Sequence, residues 1–373
     1  DFNDDAPNGR SQQPAYDEQT RAPVLADGIN PKKSLIAGGL QTPWGMDQLP
    51  DGRWLVTERR GRLRIVDRDG NISPPIAGLP DVDDRGQGGL LDVAINDDFD
   101  ATRQIWWSFA EPRGGGRNGT AVATGRLSDD ETTIEDMRVI FQQEPAWRSN
   151  LHYGSRLVFD EEGALFVTTG ERSHAAPRQL AQDVSTHLGK VLRIHPEGGA
   201  ALGNPVIAGG QPEIWSYGHR NPQSAALAPD GTLWTVEHGP RGGDELNQPQ
   251  AGKNYGWPTI SYGTEYSGAE VGQGRTQMEG MEQPVYYWDP VIAPSGMAFY
   301  EGDMFPEWNG DVLIGGLASR ALVRLELTDG LVSGEARYFE GDARVRDVDV
   351  DQVDGSIVVL IDSERGGLYR ISR

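Results

Sequence analysis

The chain has 373 residues, with 34 basic and 56 acidic side chains, so its formal net charge at pH 7 is −22. This charge excludes nucleic acid as a favoured partner, because a polyanion and a strongly acidic protein repel each other. The chain has no cysteine, which excludes disulfide frameworks, zinc–thiolate centres and cysteine nucleophiles. It also has no run of about 18 apolar residues, so we expect no membrane span.

The first 33 residues are polar and show almost no apolar periodicity. This composition predicts a disordered leader over residues 1–33 and a single folded domain over residues 34–373. The chain begins at Asp1 and shows no basic segment followed by an apolar one. We therefore expect either that a signal peptide has been removed or that the chain has been trimmed.

From Ile36 onward, short apolar runs alternate with Gly, Asp, Asn and Pro, and no long amphipathic helix is evident, which predicts an all-β protein. Pairs of apolar runs flank a tight turn, usually Asp-Gly, which is a strong hairpin signal because such turns need positive φ. The repeats cover residues 48–58, 158–168, 227–237 and 350–360, with looser copies at 94–109 and 308–314.

Six such hairpins predict a six-bladed β-propeller in a single domain, since their average spacing fits one four-stranded blade with its loops. The alternative is a pair of β-sandwiches, which is less favoured because no linker follows Ile36. Propellers usually close by mixing terminal strands in one blade. We therefore expect residues 368–371 to pair with a strand near residues 34–36.

A propeller holds its ligand at one mouth of the central channel, so polar residues just outside the hairpins are the candidates. His152, His219 and His238 lie in glycine-rich segments beside predicted strands, although each could be an ordinary hydrogen-bonded structural residue. No HxxxH or HExxH spacing predicts a histidine-rich zinc site. The segment from Gly239 to Glu245 combines glycines, a proline and carboxylates, which suits calcium or simply an acidic turn.

Arg344 and Arg346 flank one residue just before the last hairpin. On a strand, residues two apart point to the same face. Two guanidiniums on one face can hold a carboxylate-bearing ligand, because each offers bidentate geometry to an anion. The alternative is a pair of surface arginines balanced by the many acidic residues.

Several blocks, in this order along the chain, resemble the soluble, pyrroloquinoline-quinone (PQQ) dependent sugar dehydrogenases of the glucose/sorbosone dehydrogenase type. The resemblance covers about residues 38–373 and is greatest to the bacterial periplasmic aldose sugar dehydrogenases, which implies a six-bladed propeller and a periplasmic or secreted location. The blocks are TPWGM at 42–46, GQGGLLD at 86–92, HYGSR at 152–156, GHRNPQ at 218–223, EHGP at 237–240 and RVRD at 344–347.

The resemblance implies the roles of five residues around a bound quinone. His152 falls where the family has its catalytic base, and Glu171 falls near an acidic residue that supports the base. Arg220 and Asn221 match the pair that contacts the reactive quinone oxygen. Gln87 matches a glutamine on the cofactor and substrate side.

The resemblance also implies two calcium sites. Gly239 and Pro240 match the backbone carbonyls that hold the calcium of the cofactor. Glu245 and the carbonyl of Tyr255 resemble a second, structural calcium site.

Arg344 and Arg346 match the arginines that grip PQQ carboxylates, and Trp288 lies in a region that lines the sugar cleft in relatives. Two positions depart from the glucose-specific members. Leu151 replaces an acidic residue before the base, and the lysine that touches the cofactor is missing, with Arg320 as a candidate replacement.

The implied activity is oxidation of an aldose at its anomeric carbon to a lactone. Hydride passes to PQQ, and electrons then pass to an external acceptor. Two alternatives are a calcium-dependent lactonase on a six-bladed propeller and a non-catalytic propeller that serves as a binding module.

Overall fold

The structure is a computed structural model that describes residues 1–373. It contains 23 β-strands, α-helices at Phe99–Thr102 and Ala175–Arg178, and five short 3₁₀ helices. No helix is both long and apolar enough to cross a membrane. The strands are β1 Lys32–Leu40, β2 Pro43–Gln48, β3 Trp54–Glu58, β4 Arg62–Val66, β5 Leu90–Ala94, β6 Gln104–Pro112, β7 Asn118–Leu127, β8 Ile134–Gln142, β9 Leu157–Phe159, β10 Leu165–Thr168, β11 Lys190–Ile194, β12 Ile214–Tyr217, β13 Pro222–Leu227, β14 Leu233–Glu237, β15 Asp244–Asn247, β16 Tyr286–Trp288, β17 Pro294–Phe299, β18 Val312–Gly316, β19 Ala321–Thr328, β20 Leu331–Tyr338, β21 Val345–Val350, β22 Ile357–Ile361 and β23 Gly366–Ser372.

The strands form six antiparallel sheets, which we number as blades 1 to 6. Blade 1 is β2–β4, blade 2 is β5–β8, blade 3 is β9–β12, blade 4 is β13–β16 and blade 5 is β17–β20; blade 6 contains β21–β23 together with β1. The first strand of each blade contacts the first strand of the next, and β21 contacts β2, which closes a ring around a central channel. The prediction of a six-bladed β-propeller is confirmed, and the sandwich alternative is wrong.

Each predicted hairpin joins the innermost strand of a blade to its second strand. Gln48 pairs with Trp54 in blade 1, and Leu227 pairs with Leu233 in blade 4. The turns contain Gly52 and Gly231 with φ of 95° and 83°, a conformation that only glycine adopts without strain. All six hairpins lie on one face of the propeller, so the innermost strands begin at the opposite face, which we call the mouth.

The ring of blades is closed by pairing between the first and the last strand of the chain. β1 pairs with β23 in antiparallel register, with Ser34 opposite Arg370 and Leu35 opposite Tyr369. The predicted pairing of the terminal strands is therefore confirmed. Because the last blade combines strands from both ends of the domain, opening the ring would break a complete ladder of backbone hydrogen bonds.

Neighbouring blades are held together by buried apolar side chains and by hydroxyl bridges near the channel. Leu55 of blade 1 and Trp107 of blade 2 are both fully buried in one apolar cluster. Ser108 Oγ donates to the carbonyl of Ser155 at 2.6 Å, which links blade 2 to blade 3. These contacts fix the loops at the mouth relative to one another.

The segment before β1 differs from the disordered leader that its composition predicts. Gln19 and Ala22 are buried against blade 4, and Thr20 Oγ1 donates to the carbonyl of Tyr287 at 2.8 Å. Asp27 forms an ion pair with Arg324 of blade 5 at 2.7 Å. Backbone and amide hydrogen bonds anchor this segment, and such contacts leave no apolar periodicity in the sequence. We call residues 1–31 the N-terminal strap.

Candidate active site

The sequence-predicted polar residues converge at the mouth because each precedes an innermost strand or follows a second strand. Gln87 precedes β5, His152 precedes β9, and Arg220 and Asn221 precede β13 directly. Glu171 follows β10. Residues separated by up to 134 positions in the chain are thus brought to one end of the channel.

His152 and Glu171 form a buried hydrogen-bonded pair. His152 is only 7% exposed, and its Nδ1 lies in a hydrogen bond with Glu171 Oε1. The other oxygen of Glu171 accepts from Trp257 Nε1 at 2.9 Å. The main-chain N–H of His152 donates to Gln87 Oε1 at 2.9 Å. When Nδ1 carries the hydrogen that Glu171 accepts, Nε2 is the ring nitrogen left to accept a proton.

The electrostatics of the pair favour a neutral imidazole beside an ionised carboxylate. Burial and then the positive charge of Arg220 lower the pKa of His152, and Glu171 opposes this only in part. Burial acts to raise the pKa of Glu171, but His152 and Arg220 outweigh it, so this pKa lies below its ordinary value. A neutral imidazole held by a carboxylate is suited to act as a general base.

Arg220 is held near this pair by contacts with the segment that follows β14 and with Trp257. Its main-chain N–H donates to Glu237 Oε2 at 2.6 Å, and its Nη1 donates to the carbonyl of Gly239 at 2.7 Å. Its guanidinium lies 5.3 Å from the ring centre of Trp257. Asn221 is buried, and its Oδ1 accepts from the N–H of Gly154 at 3.0 Å.

A cavity of about 300 Å³ opens at the mouth. Gln87 lines it and accepts from the main chain of His152, whereas His152, Glu171, Arg220 and Asn221 do not line it themselves. Arg346 lies in its wall, where Nη2 contacts Asp362 Oδ2 at 2.9 Å and Nη1 donates to Gln223 Oε1 at 2.8 Å. Arg344 contacts the same oxygen of Asp362 at 3.4 Å, and its side chain is 49% exposed. The cavity is lined by Trp44, Arg59, Gly86, Gln87, Gln223, His238, Ala293, Leu317, Arg344, Arg346 and Asp362.

Two polar atoms of the cavity residues are buried without a hydrogen-bond partner. These atoms are Arg346 Nε and His238 Nε2. Leaving a buried polar group unpaired costs roughly 1–3 kcal/mol, so a polar ligand that supplies partners would stabilise this wall. Arg344 and Arg346 share the single carboxylate of Asp362, which leaves positive charge for an anionic ligand. The donor set of this wall therefore suits a carboxylate-bearing ligand such as PQQ.

His238 is held uncharged at the same wall. Burial and then the charges of Arg220 and Arg346 lower its pKa to about 3. Its neutral ring therefore adds hydrogen-bonding capacity to the cavity without adding charge.

The segment expected to hold calcium presents oxygen atoms of several kinds. The carbonyl of Gly239 points toward Arg220, and the N–H of Gly239 donates to Asp244 Oδ1 at 2.7 Å. Pro240 is buried next to it. No group of three or more His, Asp or Glu side chains converges as a metal site, so carbonyl oxygens would have to supply much of the ligation.

Glu245 and Tyr255 are linked by a chain of contacts that passes through Asn247, Glu237 and His219. Burial and the neighbouring Glu237 raise the pKa of Glu245 well above its usual range. Asn247 Nδ2 reaches Glu237 at 3.1 Å and Glu245 at 3.3 Å, while Asn247 Oδ1 is buried without a partner. The ring of Tyr255 stacks on His219, whose Nδ1 contacts Glu237 at 2.8 Å. The donor set of this cluster suits a hard cation.

Trp288 is not among the residues that line the mouth cavity, and its place in the sugar cleft stays a prediction. Trp288 lies in the outer strand β16, is 3% exposed, and packs in the core between blades 4 and 5. Its Nε1 donates to Glu335 Oε1 at 3.2 Å. The alternation of β16 directs this ring into the core, and an isolated tryptophan in the sequence does not reveal that direction.

Arg320, the candidate replacement for the missing lysine, does not line the mouth cavity. It is exposed, and its Nη2 donates to the carbonyl of Asp342 at 2.8 Å, outside the mouth cavity. Leu317 lines the cavity at this turn instead.

Two residues without a predicted role shape the site. Arg59 Nη1 donates to the carbonyls of Gly86 and Gly88, both at 2.7 Å, which fixes the loop that carries Gln87. Trp257 contacts both Glu171 and Arg220. It lies in the long connection between β15 and β16, where neither a hairpin nor a strand pattern marks it.

Comparison with known proteins identifies the family to which the chain belongs. The family described as Glucose / Sorbosone dehydrogenase matches residues 40–370. The aldose sugar dehydrogenase YliI of Escherichia coli is 43% identical over 339 residues, which cover 89% of this chain and 90% of that protein. The apo-form crystal structure of the soluble aldose sugar dehydrogenase from Escherichia coli has a TM-score of 0.88 at 42% identity, covering 92% of this chain and 99% of that one.

A cofactor-bound relative has the same fold. The structure of the PQQ-bound form of aldose sugar dehydrogenase from Streptomyces coelicolor has a TM-score of 0.76 at 25% identity, and the match covers 94% of this chain and 100% of that one. The chain therefore belongs to the Glucose / Sorbosone dehydrogenase family of sugar-oxidising enzymes.

Proposed function

We propose that the protein oxidises aldose sugars at the anomeric carbon to lactones, with PQQ as cofactor and calcium as its metal partner. The observation that carries this proposal is the buried pair of His152 and Glu171, which Gln87 links to a cavity whose wall carries the unpartnered Nε of Arg346. A base that accepts a hydroxyl proton and an anion-binding wall lie at the same mouth. Bound PQQ would supply the two-electron acceptor, and bound calcium would supply a Lewis-acidic charge.

Each residue of the site then has its own role in the reaction. His152 Nε2 takes the proton of the anomeric hydroxyl as the hydrogen on the same carbon leaves with two electrons, and Glu171 stabilises the resulting imidazolium. Arg220 supplies positive charge where negative charge develops. Gln87 holds the backbone of His152 in place, and Asn221 holds the neighbouring turn through Gly154.

The ligand-holding residues are a second group. Arg344 and Arg346 would hold carboxylates of PQQ, and the carbonyls of Gly239 and Pro240 would hold its calcium. The carbonyl of Gly239 accepts from Arg220, and its second lone pair is left for a cation.

The pH dependence of the rate should report the neutral form of His152. Protonation of His152 removes the base, so kcat/KM should fall as pH decreases. Because burial and Arg220 lower the pKa of His152, the acidic limb should lie below the ordinary imidazole value of about 6.5. A pH–rate profile of the PQQ-loaded enzyme checks this. An acidic limb well above that value would contradict a neutral base held beside Arg220.

Calcium should stabilise the fold through Glu245 and the carbonyl of Tyr255. A ligand that binds only the folded state at roughly a hundred times its Kd adds about 2.7 kcal/mol to the free energy of unfolding. We expect EDTA to lower the Tm and calcium to restore it, measured without PQQ. In Glu245→Gln this shift should shrink. An unchanged Tm after verified metal removal would argue against the second calcium site.

A calcium-dependent lactonase and a non-catalytic binding module remain the competing functions. Metal-activated hydrolysis uses carboxylate side chains that converge on the metal, and it would leave the arginine pair at the mouth without a role. One experiment separates the three: purified protein receives PQQ and calcium, then glucose and a redox dye, or a lactone alone. Dye bleaching supports the dehydrogenase, acid release from the lactone supports the hydrolase, and neither result supports the binding module.

The location of the enzyme and its electron acceptor are also part of the proposed function. We propose a periplasmic or secreted location, which the absence of cysteine permits, and transfer of electrons to an external acceptor. Fractionation of the source cells and reoxidation of the sugar-reduced enzyme by their periplasmic extract would test both.

A further inference from the structure

We infer that the N-terminal strap is a positioning element of the active site, because Asn8 and Gly9 fix the loop that carries the carbonyls of Gly239 and Pro240. This inference rests on the proposed function for the role of those carbonyls. It concerns residues more than 200 positions away from the loop in the sequence. The strap would act on ligand binding through the loop and not by touching the ligand.

Asp289 is the link between the strap and the loop. Its Oδ1 accepts from the main-chain N–H of Asn8 at 2.8 Å and from Asn8 Nδ2 at 3.0 Å, and its Oδ2 accepts from the N–H of Gly9 at 2.7 Å. The side chain is buried, with the residue 7% exposed. The strap therefore supplies three donors to a buried carboxylate, each a hydrogen bond to a charged group.

The opposite side of Asp289 lies against the loop. A Cβ placed on Gly242 would come within 2.5 Å of Asp289 Oδ1, so the carboxylate and the loop backbone are in direct contact. The strap also contacts the loop without an intermediary, since Arg241 Nε donates to Asn8 Oδ1 at 3.0 Å. Asn8 thus donates to Asp289 and accepts from Arg241 with the same side-chain amide.

Arg241 and Gly242, which Asn8 and Asp289 contact, immediately follow the carbonyls of Gly239 and Pro240. Arg241 is the next residue after Pro240, and successive Cα atoms lie only 3.8 Å apart, so displacement of Arg241 and Gly242 must move Pro240. On its other side the loop is fixed by Gly239, whose N–H donates to Asp244 and whose carbonyl accepts from Arg220. The two carbonyls lie between these contacts, and on the strap side a backbone bridge between Arg241 and Thr264 also holds the loop.

Thermodynamic linkage makes the coupling between docking of the strap and ligand binding at the loop reciprocal. If the docked strap favours binding at the loop, then binding at the loop must favour the docked strap by the same factor. The peptide bond after Arg10 reports the docking of the strap, because Arg10 is exposed and follows Gly9 directly. Calcium and PQQ should therefore slow tryptic cleavage at Arg10.

The test uses the full chain and three variants. Asp289→Ala removes the link, Asn8→Ala removes the side-chain contacts while keeping the carboxylate, and Tyr16→Phe is the matched control. Tyr16 OH donates to the carbonyl of Val285 at 2.6 Å, a strap contact away from the loop. The readouts are the PQQ affinity at fixed calcium from the absorbance of bound PQQ, the rate of cleavage after Arg10, and the Tm.

The expected result is PQQ binding about tenfold weaker in Asp289→Ala and measurably weaker in Asn8→Ala, with Tyr16→Phe close to wild type. Wild-type cleavage after Arg10 should slow when calcium and PQQ are added. Wild-type affinity in both Asp289→Ala and Asn8→Ala, or cleavage indifferent to ligands, would overturn the inference. If Asp289→Ala does not fold, the PQQ affinity of Asn8→Ala and the rate of cleavage after Arg10 in the wild type test the inference.

The experiment also separates this inference from the proposed function. Wild-type protein that binds no PQQ contradicts the proposed function. In that case, protection of Arg10 by calcium alone would still support a strap that positions the loop, and no protection would contradict it.

Discussion

Replacement of His152 by alanine is expected to lower kcat by roughly 10²–10⁴-fold, which is the usual contribution of a positioned general base. PQQ and calcium should remain bound, because no proposed ligand atom belongs to the imidazole. Glu171→Gln should have a smaller effect in the same direction, since an amide can orient the ring but cannot stabilise an imidazolium as a carboxylate does. Steady-state kinetics of the PQQ-loaded variants measure both effects.

His195→Ala is a suitable control for this prediction, because His195 is an exposed residue that follows β11 in blade 3. Its rate should match that of the wild type. A His152→Ala variant that folds, holds PQQ and oxidises aldoses at a near wild-type rate would remove His152 from the mechanism. Joint loss of PQQ, stability and activity would instead indicate a structural role for its loop.

Arg346→Ala should cause the largest loss of PQQ affinity. A hydrogen bond to a charged group contributes on the order of 1.5–3 kcal/mol, which corresponds to roughly 10- to 150-fold in Kd. Arg344→Ala should have a smaller effect, because its side chain is 49% exposed and water screens its charge. Titration of PQQ into each apo-variant at fixed calcium measures the order of the effects.

Two further variants separate ligand binding from the internal ion pair of Arg346 with Asp362. Arg346→Lys keeps a positive charge beside Asp362 but loses the planar donor geometry, so its PQQ affinity should lie between those of wild type and Arg346→Ala. Arg320→Ala should bind PQQ as wild type does, because Arg320 lies outside the cavity. Unchanged PQQ affinity in both Arg344→Ala and Arg346→Ala would mean that the pair serves only to balance acidic residues.

The architecture was predictable because its signals are local. A turn glycine such as Gly52 between two apolar runs specifies a hairpin without reference to the rest of the chain. Six hairpins, five of them with a turn glycine, then restrict the topology to a propeller. The N-terminal strap was not predictable in this way, because residues such as Asn8 and Thr20 are anchored by hydrogen bonds to distant parts of the fold.

The site was predictable only where a short sequence block carries the residue. His152 and Arg220 stand in such blocks next to innermost strands, and the fold brings them together at the mouth. Trp257 was missed because its contact with Glu171 spans 86 positions and depends on the path of a long connection. The direction of the Trp288 ring was not predictable, because the face that a strand residue occupies depends on the register of its sheet, which the sequence around it does not determine.

The most direct test of the proposed function is a single turnover without any external acceptor. Purified protein is loaded anaerobically with calcium and a stoichiometric amount of PQQ, an aldose is added, and the absorbance of the bound quinone is followed together with the lactone formed. The account predicts conversion of the bound quinone to its reduced form, with one lactone produced for each PQQ reduced. Protein that binds PQQ but leaves it oxidised in the presence of aldoses would contradict it.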